Sequence, residues 1–162
     1  MSYFRRSIPN SFTLGNLVCG IFSLTFAMNE YYRMAALLIL LAAVCDLFDG
    51  KLARMLKVDS PMGVELDSLA DIVSFGVAPA ILMHTMEQPS FLVTLAFIAF
   101  PIAGAWRLGR FNIQPTIGYY MGIPITFAGL LVAFLALFSF SSPLLTLVLA
   151  ILMVSPIRVP KL

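Results

Sequence analysis

Long apolar stretches broken by short polar ones set the rhythm of this chain. Six apolar segments stand out, at roughly 12–29, 33–56, 63–86, 90–111, 119–140 and 143–157. A helix needs about 20 apolar residues to cross a bilayer, and all but the last segment come near that length. Turn-forming residues fall between them: Asn29-Glu30, Asp59-Ser60-Pro61, Gln88-Pro89, Gln114-Pro115 and Ser141-Ser142-Pro143. No long run alternates polar with apolar residues, which argues against a membrane β-barrel. The pattern predicts an all-α integral membrane protein of six transmembrane helices, with no internal repeat, low-complexity tract or second domain within 1–162.

Composition agrees with the pattern. The chain is 60% hydrophobic and 11% charged, with a mean hydropathy of +0.98, whereas soluble domains are about 45–50% apolar and about 25% charged. A net charge of +2 gives no footprint for nucleic acid. The opening MSYFRRSIPNSFTLGNLVCGIFSLTFAM has basic residues before an apolar run, as a signal peptide does. The run is long, lacks a clean small-x-small cleavage site and carries Asn and Thr, so it reads as a retained first helix. Residues 1–8, with Tyr3, Phe4, Arg5 and Arg6, suit either a short interfacial segment ahead of that helix or an unstructured start. Cys19 and Cys45 sit in apolar runs and read as small buried residues; bridging them would require two closely packed helices.

The basic residues orient the helices. With both termini cytoplasmic, that side receives Arg5, Arg6, Lys51, Arg54, Lys57, Arg107, Arg110, Arg158 and Lys161, and the other side only Arg33. This asymmetry obeys the positive-inside rule, which an odd helix count would break. The second helix then ends, and the third begins, at the cytoplasmic face.

Four aspartates at helical spacing lie at that hairpin: Asp46, Asp49, Asp67 and Asp71. Side chains three or four apart share a helix face. Asp46, Asp49, Gly50 and Ala53 therefore form one stripe, and Gly63, Asp67, Asp71, Ser74 and Ala78 another. A short turn makes the two helices antiparallel neighbours, so the aspartate pairs can meet. A charged residue at the centre of a membrane helix costs about 2.5–3.5 kcal/mol, so four near an interface cost up to roughly 10 kcal/mol. Lys51, Arg54 and Lys57 are too few to balance four acids, and Lys51 and Lys57 fall on other faces. Divalent cations would compensate. All-oxygen ligands suit Mg²⁺, Mn²⁺ or Ca²⁺, and paired hard metals suit displacement at phosphorus. Zinc is disfavoured, since the single histidine, His84, lies toward the far end of the third helix. Gly50, Ala53 and Gly63 allow either close helix packing or room for a phosphate-bearing ligand.

From Asp46 to Asp71 the pattern D-x2-D-G-x2-A-R-x8-G-x3-D-x3-D is complete, with Asp46, Asp49, Gly50, Ala53, Arg54, Gly63, Asp67 and Asp71 in its eight fixed positions. It resembles the signature of the CDP-alcohol phosphotransferase family, six-helix membrane enzymes that move a substituted phosphate from a CDP-linked donor to an alcohol and release CMP. The stretches IPNSFTLGN, GVELDSLADIVSFGVAPA, RLGRFN and MGIPIT look like the phosphatidylserine synthase branch. Relatives using glycerol phosphate tend to have Arg in place of Asn16. Those relatives and inositol-phosphate users tend to have Lys or Arg in place of Ile72. The resemblance covers roughly residues 8–130 and leaves out the sixth helix.

The resemblance implies a site for two Mg²⁺ or Mn²⁺ ions held by Asp46, Asp49, Asp67 and Asp71, with Asp71 also the general base. It implies CDP-diacylglycerol and L-serine as substrates and a homodimer; the basic residues, as oriented above, put the active site at the cytoplasmic face of the cell membrane. Gly50, Ala53, Arg54 and Gly63, with Asn10 and Thr13 of the first helix, are candidates for the nucleotide and diphosphate. Asn16, Ser74, Arg107 and Arg110 are candidates for the acceptor or a phosphate. The bland alternatives are helix capping or interhelical bonding for Asn10, Thr13 and Asn16, and snorkelling for the two arginines. Thr13, Asn16 and Gly20 share a face that could turn toward the aspartates. Glu65 and Lys57 read as a solvated face, and Trp106 as lipid-facing or interfacial. Rival functions are the same transfer to glycerol 3-phosphate or inositol phosphate, and a divalent-cation transporter. The acidic cluster lies off the midplane and no inverted repeat is visible, which disfavours the transporter.

Overall fold

The computed structural model describes residues 2–57, 61–113, 119–121, 123–155 and 158–160. Among the described residues six helical rods follow one another. They are α1 (Ser2–Met28), α2 (Tyr32–Leu56), a composite third rod, α5 (Phe91–Ile113), α6 (Ile125–Leu137) and α7 (Pro143–Val154). The third rod is built from α3 (Pro61–Asp71), a π-helical stretch (Ile72–Val77) and α4 (Ala78–Met86). Two three-residue strands, β1 (Tyr119–Met121) and β2 (Arg158–Pro160), pair antiparallel with Tyr120 opposite Val159.

The rods match the six apolar segments in number and order, with three adjustments. Residues 2–9 are helical and continuous with α1, rather than a separate interfacial segment or an unstructured start. The fifth helix is shorter at both ends than 119–140: residues 119–121 are strand, and Pro124, extended at φ −65° and ψ 146°, delays the helix to Ile125. It ends at Leu137, where Ser139 takes a positive φ of 60°. The sixth helix stops at Val154. The turns expected at Asp59-Ser60 and Gln114-Pro115 lie outside the described residues.

Asn10–Met28, Met62–Met86 and Phe91–Arg110 are long and apolar enough to cross a membrane. α2 carries Arg33, Asp46, Asp49, Lys51 and Arg54, and α6 and α7 are apolar but only 13 and 12 residues long. Large apolar side chains cover the outer faces: Phe22, Leu47, Ile98, Trp106, Phe134 and Ile151 are each more than 40% exposed. A contiguous apolar exterior of this kind belongs in lipid. The architecture is that of a helical membrane protein.

Inside, small residues bring backbones together. α1 packs along α2, where Ala27, Ala35, Ala36 and Ala42 are fully buried and Ser23 Oγ donates to Ala35 O at 2.8 Å. The same packing brings the Cys19 and Cys45 thiols into contact; both are free and half-buried rather than fully buried. Phe75, Ile39, Phe100, Leu82, Met83 and Ile125 fill the centre.

The π stretch has a local cause. In a regular helix the Pro79 position would offer an N–H to Phe75 O, but proline has none and its ring crowds that carbonyl. The register lengthens to i→i+5, as in Ala78 N–H to Val73 O. α6 then rests on this widened turn through Gly129, where a Cβ would lie 2.6 Å from Phe75 O.

Candidate active site

The hairpin of α2 and the third rod carries the acidic residues, and α1 completes the site. α2 ends at Lys57, whose left-handed backbone (φ 54°, ψ 46°) lets its N–H close on Ala53 O. Among the described residues α2 makes few close backbone approaches to α3, while α1 packs against both. The aspartates therefore face one another across a gap floored by α1, rather than across a tight two-helix interface.

Carboxylate oxygens of Asp46, Asp49 and Asp67 all lie within 4.8 Å of one another. Asp71, one turn beyond Asp67, falls outside this tight group, although Asp46 stands within reach of both Asp67 and Asp71. Asp49 and Asp71 are buried, Asp46 and Asp67 half-buried. α1 supplies the polar partners: Thr13 Oγ1 donates to Asp49 Oδ2, and Asn16 Nδ2 donates to Asp71 Oδ1 at 3.3 Å. Ser74 Oγ donates in turn to Asn16 O at 2.9 Å. Thr13, Asn16, Gly20 and Ser23 form a buried stripe on α1 turned toward these groups.

This donor set fits a hard divalent cation. The ligands are all carboxylate oxygens, and Asp67 Oδ1 is buried without a hydrogen-bond partner among the described residues. Lys51, Arg54 and Lys57, the basic residues nearest in sequence, are exposed and leave the clustered charge to be balanced by something else. His84 lies away from the cluster, its ring 4.6 Å from that of Phe97.

The remaining candidates fall into two groups. Gly50 lies on the aspartate stripe, and a Cβ built there meets nothing within 4 Å. It opens space instead of packing a neighbour. Ala53, Gly63 and Asn10 are half-buried beside it in sequence or on the facing helices, and Arg54 is exposed at the end of α2. Ser74 is fully buried, with its proton committed to Asn16.

Arg107 and Arg110 approach from α5. Gly76 backs onto Pro101, and at about 1.5 Å per residue Asp71, five residues back, stands about 7.5 Å from that level and Arg107, six residues on, about 9 Å, in the same direction. Arg107 is only 5% exposed, so it enters the bundle at the depth of Asp71 rather than snorkelling outward. Arg110 is half-buried and donates from Nη1 to Val154 O at 3.4 Å, tying α5 to α7.

Sequence reasoning missed the packing glycines. A Cβ on Gly20 would lie 2.5 Å from Ser74 Oγ, and one on Gly129 within 3 Å of three Phe75 atoms. Neither glycine sits in a turn, and only the identity of the facing backbone distinguishes it from Gly50.

Residues 6–156 match the CDP-alcohol phosphatidyltransferase family model. The chain is 38% identical over 159 residues to the CDP-diacylglycerol–serine O-phosphatidyltransferase of Bacillus subtilis (strain 168), covering 94% of this chain and 89% of that one. It is 36% identical to the protein of the same name from Methanocaldococcus jannaschii, covering 96% and 74%. With the one from Helicobacter pylori (strain J99) the identity is 35%, covering 94% and 71%. The aspartate signature, the helical fold that gathers it and the family match over nearly the whole chain lead to one conclusion: the chain belongs to the CDP-alcohol phosphatidyltransferase family.

Proposed function

We propose that this protein is a CDP-diacylglycerol–serine O-phosphatidyltransferase, a transferase of phospholipid biosynthesis that moves a phosphatidyl group to the serine hydroxyl and releases CMP. The observation that carries the reading is the convergence of Asp46, Asp49 and Asp67 on one point, with Asp71 beside them and α1 donors holding two of the four. The names of the relatives support donor and acceptor.

Asp46, Asp49, Asp67 and Asp71 would hold two divalent cations, Mg²⁺ or Mn²⁺. Such ions supply charge neutralisation for the diphosphate and for the attacking and leaving oxygens. Thr13 fixes the Asp49 carboxylate, and Asn16 fixes that of Asp71. The open space at Gly50, with Ala53, Gly63, Arg54 and Asn10 around it, receives the cytidine diphosphate. Asp71 takes the proton of the serine hydroxyl. The serine oxygen forms its bond to the lipid-bearing phosphorus as the bond to the CMP oxygen breaks. Arg107, buried at the depth of Asp71, holds a phosphate or the serine carboxylate, and Arg110 stands one turn beyond. Ser74 contributes through Asn16.

The chain forms a single transferase domain over 1–162, embedded in the cell membrane as a multi-pass protein with six membrane helices and the site at the cytoplasmic face. The split of basic residues, nine against one, supports both termini on that side. A homodimer is part of the same reading.

Purified protein supplied with CDP-diacylglycerol should release CMP only when serine and Mg²⁺ or Mn²⁺ are both present, and EDTA should abolish the release. CMP release with glycerol 3-phosphate or inositol phosphate in place of serine would move the assignment to another acceptor. Divalent-cation uptake into liposomes without a lipid donor would replace it with transport.

A further inference from the structure

Asn16 is fully buried where α1 meets the third rod. Three features fix it. Its Nδ2 donates to Asp71 Oδ1, its main-chain carbonyl accepts from Ser74 Oγ, and Gly20 lets α1 lie directly on Ser74. The orientation of the carboxamide follows from chemistry, because an ionised carboxylate only accepts. The nitrogen must face Asp71, and the oxygen is turned to the other side of the same small group. That oxygen, Oδ1, is buried and has no hydrogen-bond partner among the described residues. Folded chains pair nearly all such acceptors, with protein, water or ligand.

We propose that Asn16 Oδ1 accepts a hydrogen bond from the ammonium group of the acceptor, so that Asn16 selects an amino alcohol. The inference rests on the serine transfer proposed above and names the group that recognises the amine. The serine hydroxyl must present its proton to Asp71, the partner of Asn16 Nδ2. Oδ1 of the same carboxamide then meets whatever the acceptor carries on the next carbon. In serine that carbon bears both an ammonium, with three donors and no acceptor, and a carboxylate, with no donor to give. Only the ammonium satisfies Oδ1.

The test compares L-serine with 3-hydroxypropionate, which keeps the hydroxyl and the carboxylate but lacks the ammonium. Each is measured as a substrate in CMP release, or as a competitor of serine, at saturating Mg²⁺. The wild-type enzyme should favour serine by roughly ten-thousandfold, as sites built to hydrogen-bond a polar group reject analogues without it. In Asn16→Ala the serine KM should rise and the preference should fall about tenfold or more. Loss of the Asp71 contact lowers kcat for both acceptors alike, so the ratio isolates Oδ1. Asn16→Leu, closer in volume, carries the same comparison if Asn16→Ala does not fold. Equal binding of the two acceptors by the wild type would overturn the inference, as would an unchanged ratio in both variants. A raised Mg²⁺ requirement with serine KM unchanged would also overturn it, assigning Oδ1 to a cation. A wild-type enzyme active with another alcohol but silent with serine would instead bring down the serine reading itself.

Discussion

Two glycines near the site, Gly20 on α1 and Gly50 on α2, separate packing from function. A methyl group at Gly20 would press on Ser74, whose Oγ lies 2.5 Å from the Cβ position. Overpacking of this kind costs about 1–3 kcal/mol, so Gly20→Ala should lower the melting temperature and activity together. At Gly50 a methyl group meets nothing within 4 Å, and alanine in a helix interior is favoured over glycine by roughly 0.5–1 kcal/mol. Gly50→Ala should therefore melt no lower than the wild type while its KM for CDP-diacylglycerol rises, if the space belongs to the nucleotide. A Gly50→Ala enzyme with wild-type kinetics would remove the nucleotide from that face of α2. Asp71→Asn tests the base in a similar way. Positioned acid–base groups contribute about 10²–10⁴-fold, and CMP release should fall by that order while the protein stays folded. Unchanged turnover would end the assignment of Asp71. The aspartates were legible in the sequence because helical spacing alone aligns residues three and four apart. Their partners were only half legible: Thr13 and Asn16 share a face of α1, but that this face meets residues 36 and 55 positions away is a matter of packing between helices, which no local pattern encodes.

At the scale of elements, the third rod shows what hydrophobic patterning captures and what it leaves out. A continuous apolar run from 63 to 86 marks one membrane-length rod, as the structure has it. The run is blind to the change of hydrogen-bond register inside it, because apolarity is the same in either register. Pro79 was the available signal, since a proline deep in a helical run cannot bond the carbonyl four residues back and crowds it, although Pro101 sits inside α5 without a change of register. The π turn begins directly after Asp71, so it sets how α3 and its aspartates are rotated relative to α4 and the core. Restoring the missing N–H with Pro79→Ala allows the ordinary register, and one residue of slip turns a helix by about 100°. The expected result is a protein of equal or greater thermal stability whose CMP release falls about tenfold or more, because Asp67 and Asp71 no longer meet Asp46 and Asn16. Undiminished turnover in that variant would mean that the α1 contacts alone hold the aspartates in place. The short sixth segment and the late start of the fifth belong to the same lesson: Pro124 and the pairing of residues 119–121 with 158–160 override apolar composition.

At the scale of the molecule, the question is how the bundle sits in its membrane, and the distribution of charge makes a sharp commitment. Lys57 closes α2 at the end of the bundle that holds the aspartates, and Gln88 lies in the connection at the opposite end, between α4 and α5. Both are exposed. In between runs Met62–Met86, long and apolar enough to span the hydrocarbon layer. If the basic end is cytoplasmic, as the positive-inside rule requires, the two positions lie in different compartments. Cysteines placed there report the answer once Cys19 and Cys45 are replaced by serine. An impermeant maleimide added to intact cells should label Gln88→Cys, and should label Lys57→Cys only after the membrane is opened. The reverse pattern would put the acidic site on the outer face, away from a cytoplasmic nucleotide product. Labelling of both positions in intact cells would mean that the third rod does not span. The experiment also bears on the chemistry, because a site that joins a bilayer lipid to a water-soluble acceptor must stand where the two phases meet. The half-buried Asp46 and Asp67, set at the end of two apolar rods, are where the fold provides that boundary.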